Sequence, residues 1–306
     1  MNKVNSWIEL LGGWCLGRRP RTSDTRHMIG SWAAKAMLSF IVFEWVVQLG
    51  WKGNGTYSYA SNYVSDLGAV HCDNVGNPAR YVCSPSFAAM DLALIFIGVN
   101  VVVAACLITS PVLWIAAHAG DLDDAYKAVR RDKTDGKIRM QPTGFAKVTT
   151  TIIRWSLAVT GLAIFAIGVF PEDYPNAGHT IGIHDPAVVI LSLGIFVTLV
   201  SIGVLWFRRT DASLWFFGLA IVAGVSGLLM LLTGGKTEFS GIFERGVIYA
   251  FIVGLAILGF MVSSAAHHER VGHLQPRPAT RPLWGPRQAG RLVAPFRRRH
   301  ATVLEI

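Results

Sequence analysis

Six apolar runs set the limits on how this chain can fold, lying at approximately Ser31 to Trp51, Phe87 to Ala116, Thr149 to Phe170, Pro186 to Phe207, Ser213 to Thr233 and Gly246 to Ala266. A helix rising about 1.5 Å per residue needs roughly 20 apolar residues to cross about 30 Å of hydrocarbon, and each run meets that length. The chain is 52% hydrophobic and 15% charged, with a mean hydropathy of +0.43. Soluble domains carry about a quarter of their residues as charges. Six buried helices of a soluble protein would show charged outer faces, yet the last three runs hold no Asp, Glu, Lys or Arg. The expected fold is therefore all-α, a polytopic membrane protein built as a six-helix transmembrane bundle.

Basic residues predict its orientation, because loops rich in Lys and Arg stay cytoplasmic. With the N-terminus inside, 22 of the 28 Lys and Arg fall on the cytoplasmic side and only Lys52, Arg80, Lys236 and Arg245 outside. Lys35 and Arg154 sit inside spans, near their cytoplasmic ends, where long side chains can snorkel to the interface. The chain then divides into three regions. Residues 1–30 carry Trp7, Ile8, Leu11 and Trp14 on one helical side, an amphipathic cytoplasmic segment. Residues 31–266 form the membrane domain. Residues 267–306 are Pro- and Arg-rich, with too little apolar content to fold, and read as a disordered tail drawn to anionic headgroups rather than to nucleic acid. The connector from Asp121 to Gly144 reads as a mixed-charge link with a short helix opened by Asp121.

Cys72 and Cys83, eleven positions apart in the first outer loop, suit a disulfide better than a metal pair, since no C-x-x-C spacing is present. Ser110-Pro111 should kink the second span. Ala220 with Gly224, and Ala223 with Gly227, offer close-packing faces on the fifth.

Chemistry should reside in polar groups that a bilayer disfavours. Glu44 lies about two turns inside the first span and Asp91 about one turn into the second. Lys35 and Glu44 are nine residues apart, about half a turn out of phase, so Glu44 must find its partner on another element. The first outer loop adds Ser65, Asp66 and His71; the second adds Glu172, Asp173, His179, His184 and Asp185; the third adds Glu244 and Arg245. The structural reading makes Pro171 the stop of the third span, His184 and Asp185 the cap of the fourth before Pro186, and Glu244 with Arg245 the start of the sixth.

The strings "YASNYVSDLGA" after the first span, "GVFPE" closing the third, His184 ahead of the fourth and "GIFERGVIYAF" opening the sixth resemble the domain-of-unknown-function 998 family of bacterial six-span membrane proteins. The resemblance covers about residues 30 to 266, with Ser65, Asp66, Leu67, Gly68, Pro171, His184, Glu244 and Arg245 at the matching positions. It implies a bacterial inner-membrane location and, through a layout distantly similar to the Frag1, DRAM and Sfk1 group, a connection to membrane lipid. The resemblance carries no assigned activity, and the cofactor stays unknown.

Three functions are open at this level. The first is binding or remodelling of an envelope lipid or amphiphile at an outer polar rim, with Ser65, Asp66, His184, Glu244 and Arg245 lining the site and Arg245 pairing a phosphate or carboxylate. A second is a hydrolase holding a metal on His71, His179, His184 and Asp185. The third is a small-molecule or proton-coupled transporter working through Glu44.

Overall fold

The computed structural model describes residues 25–53, 55–75, 80–116, 144–171, 177–234 and 237–274. The amphipathic N-terminal segment, the mixed-charge connector, the acids Glu172 and Asp173, and the basic tail beyond Leu274 lie outside the described residues. The chain divides into two compact units, Met1–Glu269 and Arg270–Ile306, and all the packing and bonding described belongs to the first.

Among the described residues six helices are long and apolar enough to cross a membrane, as expected of an all-α, six-span membrane protein. The first span is α1 (Thr25–Lys35), a 3-10 turn (Ala36–Leu38) and α2 (Ser39–Gln48); the second is α3 (Phe87–Leu107) followed by α4 (Ser110–Ala116). The remaining four are α5 (Gly144–Val169), α6 (Ala177–Trp206), α7 (Ala212–Thr233) and α8 (Ser240–Leu274). Gly234 ends α7 with a φ of 58°, a left-handed cap that costs glycine little.

Helix edges depart from the hydropathy runs where polar residues continue a helix. The fourth helix begins at Ala177, with Pro186 inside it, so His184 and Asp185 do not cap it. A proline inside a span loses one helical bond and is tolerated in membrane helices, whose other bonds hold the segment together. Likewise α8 starts at Ser240, and Glu244 and Arg245 lie in its second turn rather than opening it. Pro171 does follow the end of α5, with Phe170 between.

The second span breaks two residues before the expected kink, between Leu107 and Ser110, with Ile108 extended (ψ 101°). Pro111 has no N–H to give the Leu107 carbonyl and sits in the first turn of α4, where that loss is harmless. A helix end leaves its last carbonyls unpaired, and here each finds a donor. The Ala104 carbonyl accepts from Ile108 N (2.9 Å). Arg154 of α5 donates from Nε to the Ala105 carbonyl (3.0 Å) and from Nη2 to the Cys106 carbonyl (3.2 Å). Buried His27 of α1 places Nδ1 3.0 Å from the Leu107 carbonyl. Beyond the break, Trp206 Nε1 donates to the Leu113 carbonyl (3.0 Å).

Helix α3 packs against α5, α5 against α6 and α6 against α7, while α1 lies on α3. The backbones of α3 and α5 approach closely: a Cβ on Gly98 would stand 2.5 Å from the Phe165 amide nitrogen, and one on Gly161 2.9 Å from the Gly98 carbonyl. Of the small residues singled out on α7, Ala220 and Ala223 are buried and a Cβ on Gly224 would stand 3.0 Å from the Phe196 ring. Helix α8 is the most buried of the six spans and α7 the least. Leu214, Trp215, Ile221, Leu231 and Leu232 of α7 are exposed, a surface suited to lipid tails.

The long first loop is itself folded. A 3-10 turn spans Ser65–Gly68, and strands β1 (Asp73–Val75) and β2 (Arg80–Val82) pair antiparallel with Asn74 opposite Tyr81. Cys72 and Cys83 form a disulfide at the base of this hairpin. We call this the disulfide end of the bundle and the other, where α1 and α5 begin, the arginine end.

Candidate functional site

At the disulfide end, a carboxylate from the first span meets a guanidinium from the sixth. Glu44 and Arg245 are both almost fully buried, 1% and 5% exposed. Arg245 Nε donates to Glu44 Oε1 (2.9 Å), with Nη2 2.8 Å from the same oxygen. The Tyr249 hydroxyl donates to Glu44 Oε2 (2.6 Å) from one turn further along α8. Residues four apart share a helix face, which brings both groups to the same carboxylate.

The rest of the guanidinium is engaged by the first loop. Arg245 Nη1 donates to the carbonyls of Tyr59 (2.9 Å), Asn62 (2.7 Å) and Gly241 (3.0 Å), and Nη2 donates to the Tyr57 hydroxyl. Its charge also faces two rings, at 5.4 Å from the Tyr57 centroid and 4.8 Å from that of Tyr59. Trp51 stacks edge-on against Tyr57 at 5.2 Å. Burial pushes the Tyr57 phenol well above its ordinary 10.0, with Arg245 opposing and Glu44, Glu244 and Asp66 adding to the rise. Tyr59 is raised as well, chiefly by burial. Both phenols stay neutral at physiological pH and act as hydrogen-bonding groups.

Neighbouring acids fasten the same loop. Glu244 accepts from Val64 N, and fully buried Asp66 accepts from Tyr63 N (2.9 Å). The Ile242 amide donates to the Ala60 carbonyl (3.2 Å), and a Cβ on Gly241 would collide with the Asn62 carbonyl. Ser84 Oγ donates to the Leu67 carbonyl (2.7 Å), while Ser65 is half-buried.

The expected rim residues therefore divide. Asp66, Glu244 and Arg245 come together with Glu44, but they hold the loop to the helices. The guanidinium has an internal carboxylate, that of Glu44, and three carbonyls for partners. His184 is buried on α6, with Nδ1 3.4 Å from Oδ1 of exposed Asp185. Exposed His71 lies beside Cys72, and the His179 side chain is outside the described set. Among the described residues no group of three His, Cys, Asp or Glu side chains is placed to share a metal ion. The residues that sequence reading missed are Tyr57, Tyr59, Gly241 and Tyr249. The tyrosine-rich string "YSYASNY", and Tyr249 one helical turn after Arg245, were the available signals.

Asp91 differs from the other acids. It is 9% exposed on α3, and among the described residues its carboxyl group has neither an ion-pair partner nor a hydrogen bond. Its Oδ1 lies against Gly68 of the 3-10 turn, where a Cβ would come within 2.7 Å. With this geometry in view, comparison with known proteins adds nothing further: no protein-family model, curated protein or solved structure matches the chain.

Proposed function

We propose that the protein binds a lipid or other amphiphile at its disulfide end, which faces the outside of a bacterial inner membrane. The observation that carries this reading is Asp91, a residue only 9% exposed at the rim, whose carboxyl group has no partner among the described residues. A carboxyl group on a largely buried side chain is poorly solvated, and where its oxygens reach the surface a headgroup with ammonium or hydroxyl donors can pair with it. The closed network around Arg245 supports it by holding the loop over the helix ends as a rigid platform. His184 and Asp185 stand on the same rim and supply further polar contacts. Membership of the domain-of-unknown-function 998 family belongs to the same proposal, supported by the order of the motifs along the spans.

A transporter that protonates Glu44 would have to separate it from Arg245 and Tyr249 in each cycle, which makes that acid a poor carrier. The hydrolase reading has no three-ligand group among the described residues to build on.

The test is native mass spectrometry of the purified full chain titrated with phosphatidylethanolamine and, separately, phosphatidylglycerol. Asp91→Asn should weaken retention of the amine-bearing lipid about tenfold, as expected for losing one charge-assisted hydrogen bond, and leave phosphatidylglycerol held at the other end of the bundle unaffected. An unchanged phosphatidylethanolamine affinity in a folded Asp91→Asn variant would refute the proposal.

A further inference from the structure

The arginine end holds a cation whose partners cover only part of it. Arg154 is partly exposed on α5, and its Nε and one Nη2 hydrogen are engaged by the Ala105 and Cys106 carbonyls. Those two bonds fix the plane of the guanidinium. A guanidinium carries five N–H donors, so three remain. Among the described residues none of these finds an acceptor, and no carboxylate pairs with the charge.

Arg154 lies about five residues inside the apolar run, roughly 8 Å deep. An arginine at that depth draws a polar group inward or reaches out to one. Lys147 is exposed seven residues earlier on α5, within about 20° of the same face and about 10 Å nearer the arginine end. Thr151 stands between them, its hydroxyl turned back to the Lys147 carbonyl (2.8 Å). The flanks are apolar and open: Val148 is 50% exposed, Ile152 42% and Trp155 47%, and Cys106 is exposed on α3.

We propose that Arg154 and Lys147 form a binding site for the phosphate of an anionic lipid in the leaflet at the arginine end. The unengaged Nη1 edge of Arg154 receives two phosphate oxygens, a geometry that suits guanidinium better than ammonium. Lys147 neutralises the remaining charge from the headgroup side. The acyl chains lie along Val148, Ile152 and Trp155. It is the apolar flank that selects a lipid over a free anion, since a free phosphate would have to leave water for a hydrocarbon wall. The two carbonyl bonds pre-orient the guanidinium, so binding orders little side chain. The site belongs to a different leaflet and a different headgroup from the Asp91 rim, so each can fail without the other.

Full-length protein in detergent, titrated with phosphatidylglycerol, phosphatidylcholine and inorganic phosphate, tests this by native mass spectrometry. Phosphatidylglycerol should bind more tightly than phosphatidylcholine, and inorganic phosphate should not compete. Arg154→Gln, which keeps amide donors for the two carbonyls, should weaken phosphatidylglycerol binding about tenfold. Lys147→Gln touches no structural bond through its side chain and should weaken it about fivefold, while Lys52→Gln at the disulfide end should leave it unchanged. If Arg154→Gln does not fold, the Lys147→Gln and Lys52→Gln pair decides. Competition by inorganic phosphate, equal binding of the two lipids, or equal losses in Lys147→Gln and Lys52→Gln would each overturn the proposal.

Discussion

Arg245 and Arg154 are both arginines within helices that span the membrane, and the bundle treats them in opposite ways. Arg245 meets a carboxylate, three carbonyls and a phenol, and is 5% exposed. Arg154 meets two carbonyls and stays partly exposed. Lys35, another cation within a span, donates to Ser263 Oγ at 3.5 Å and lies 4.7 Å from the Trp32 centroid and 5.1 Å from that of Phe260. A cation closed off from its surroundings on all sides serves the fold, and one with open donors facing an apolar surface is available to a ligand. Intramembrane charge alone does not mark a binding site; incomplete satisfaction does.

The contrast is open to attack first at the closed pair. Glu44→Gln should lower stability by about 3–5 kcal/mol, because it leaves the Arg245 charge buried without its counter-ion. Thermal unfolding in detergent measures this, and combining it with Arg245→Met should recover a large part of the loss. A small single-mutant effect would mean that Arg245 reaches solvent or lipid phosphate and that the two arginines are alike. Arg154→Gln should cost less, about 1–2 kcal/mol, with faster amide exchange confined to the end of α3 around Cys106 and Leu107. The smallest effect is expected for Tyr57→Phe, about 1 kcal/mol at neutral pH. Its pH dependence is more telling. Burial raises the Tyr57 phenol above 10.0, so the folded chain holds that proton more tightly than the unfolded one. Its contribution is complete below pH 10 and declines as the pH rises further. The wild type should therefore lose stability above that pH more steeply than Tyr57→Phe.

Much of the architecture was legible before any coordinates. Spans were readable because a bilayer demands long apolar runs, and the Cys72–Cys83 bridge because the two cysteines share one loop. Pro171 marked the end of α5, since a proline has no N–H with which to continue the helical ladder. Helix starts were harder. Hydropathy opened the sixth span at Gly246, but the helix extends back through Arg245 and Glu244 to Ser240, because a polar residue paired on its own level costs no more inside a helix than outside one. Pro186 read as a boundary and lies inside α6 instead.

Glu44 was recognisable as an acid in need of a partner, and half a turn of phase excluded Lys35. Which residue it would meet could not be read from one dimension, because Arg245 is 201 residues away. Composition and periodicity determined the solvent, the number of spans and where uncommon polar groups fall, since these depend on local chain length and transfer free energy. Only the tertiary structure decided which of those groups satisfy each other. Hydrogen bonding acts over about 3 Å, and the helix packing that brings distant residues to that range is a property of the whole bundle.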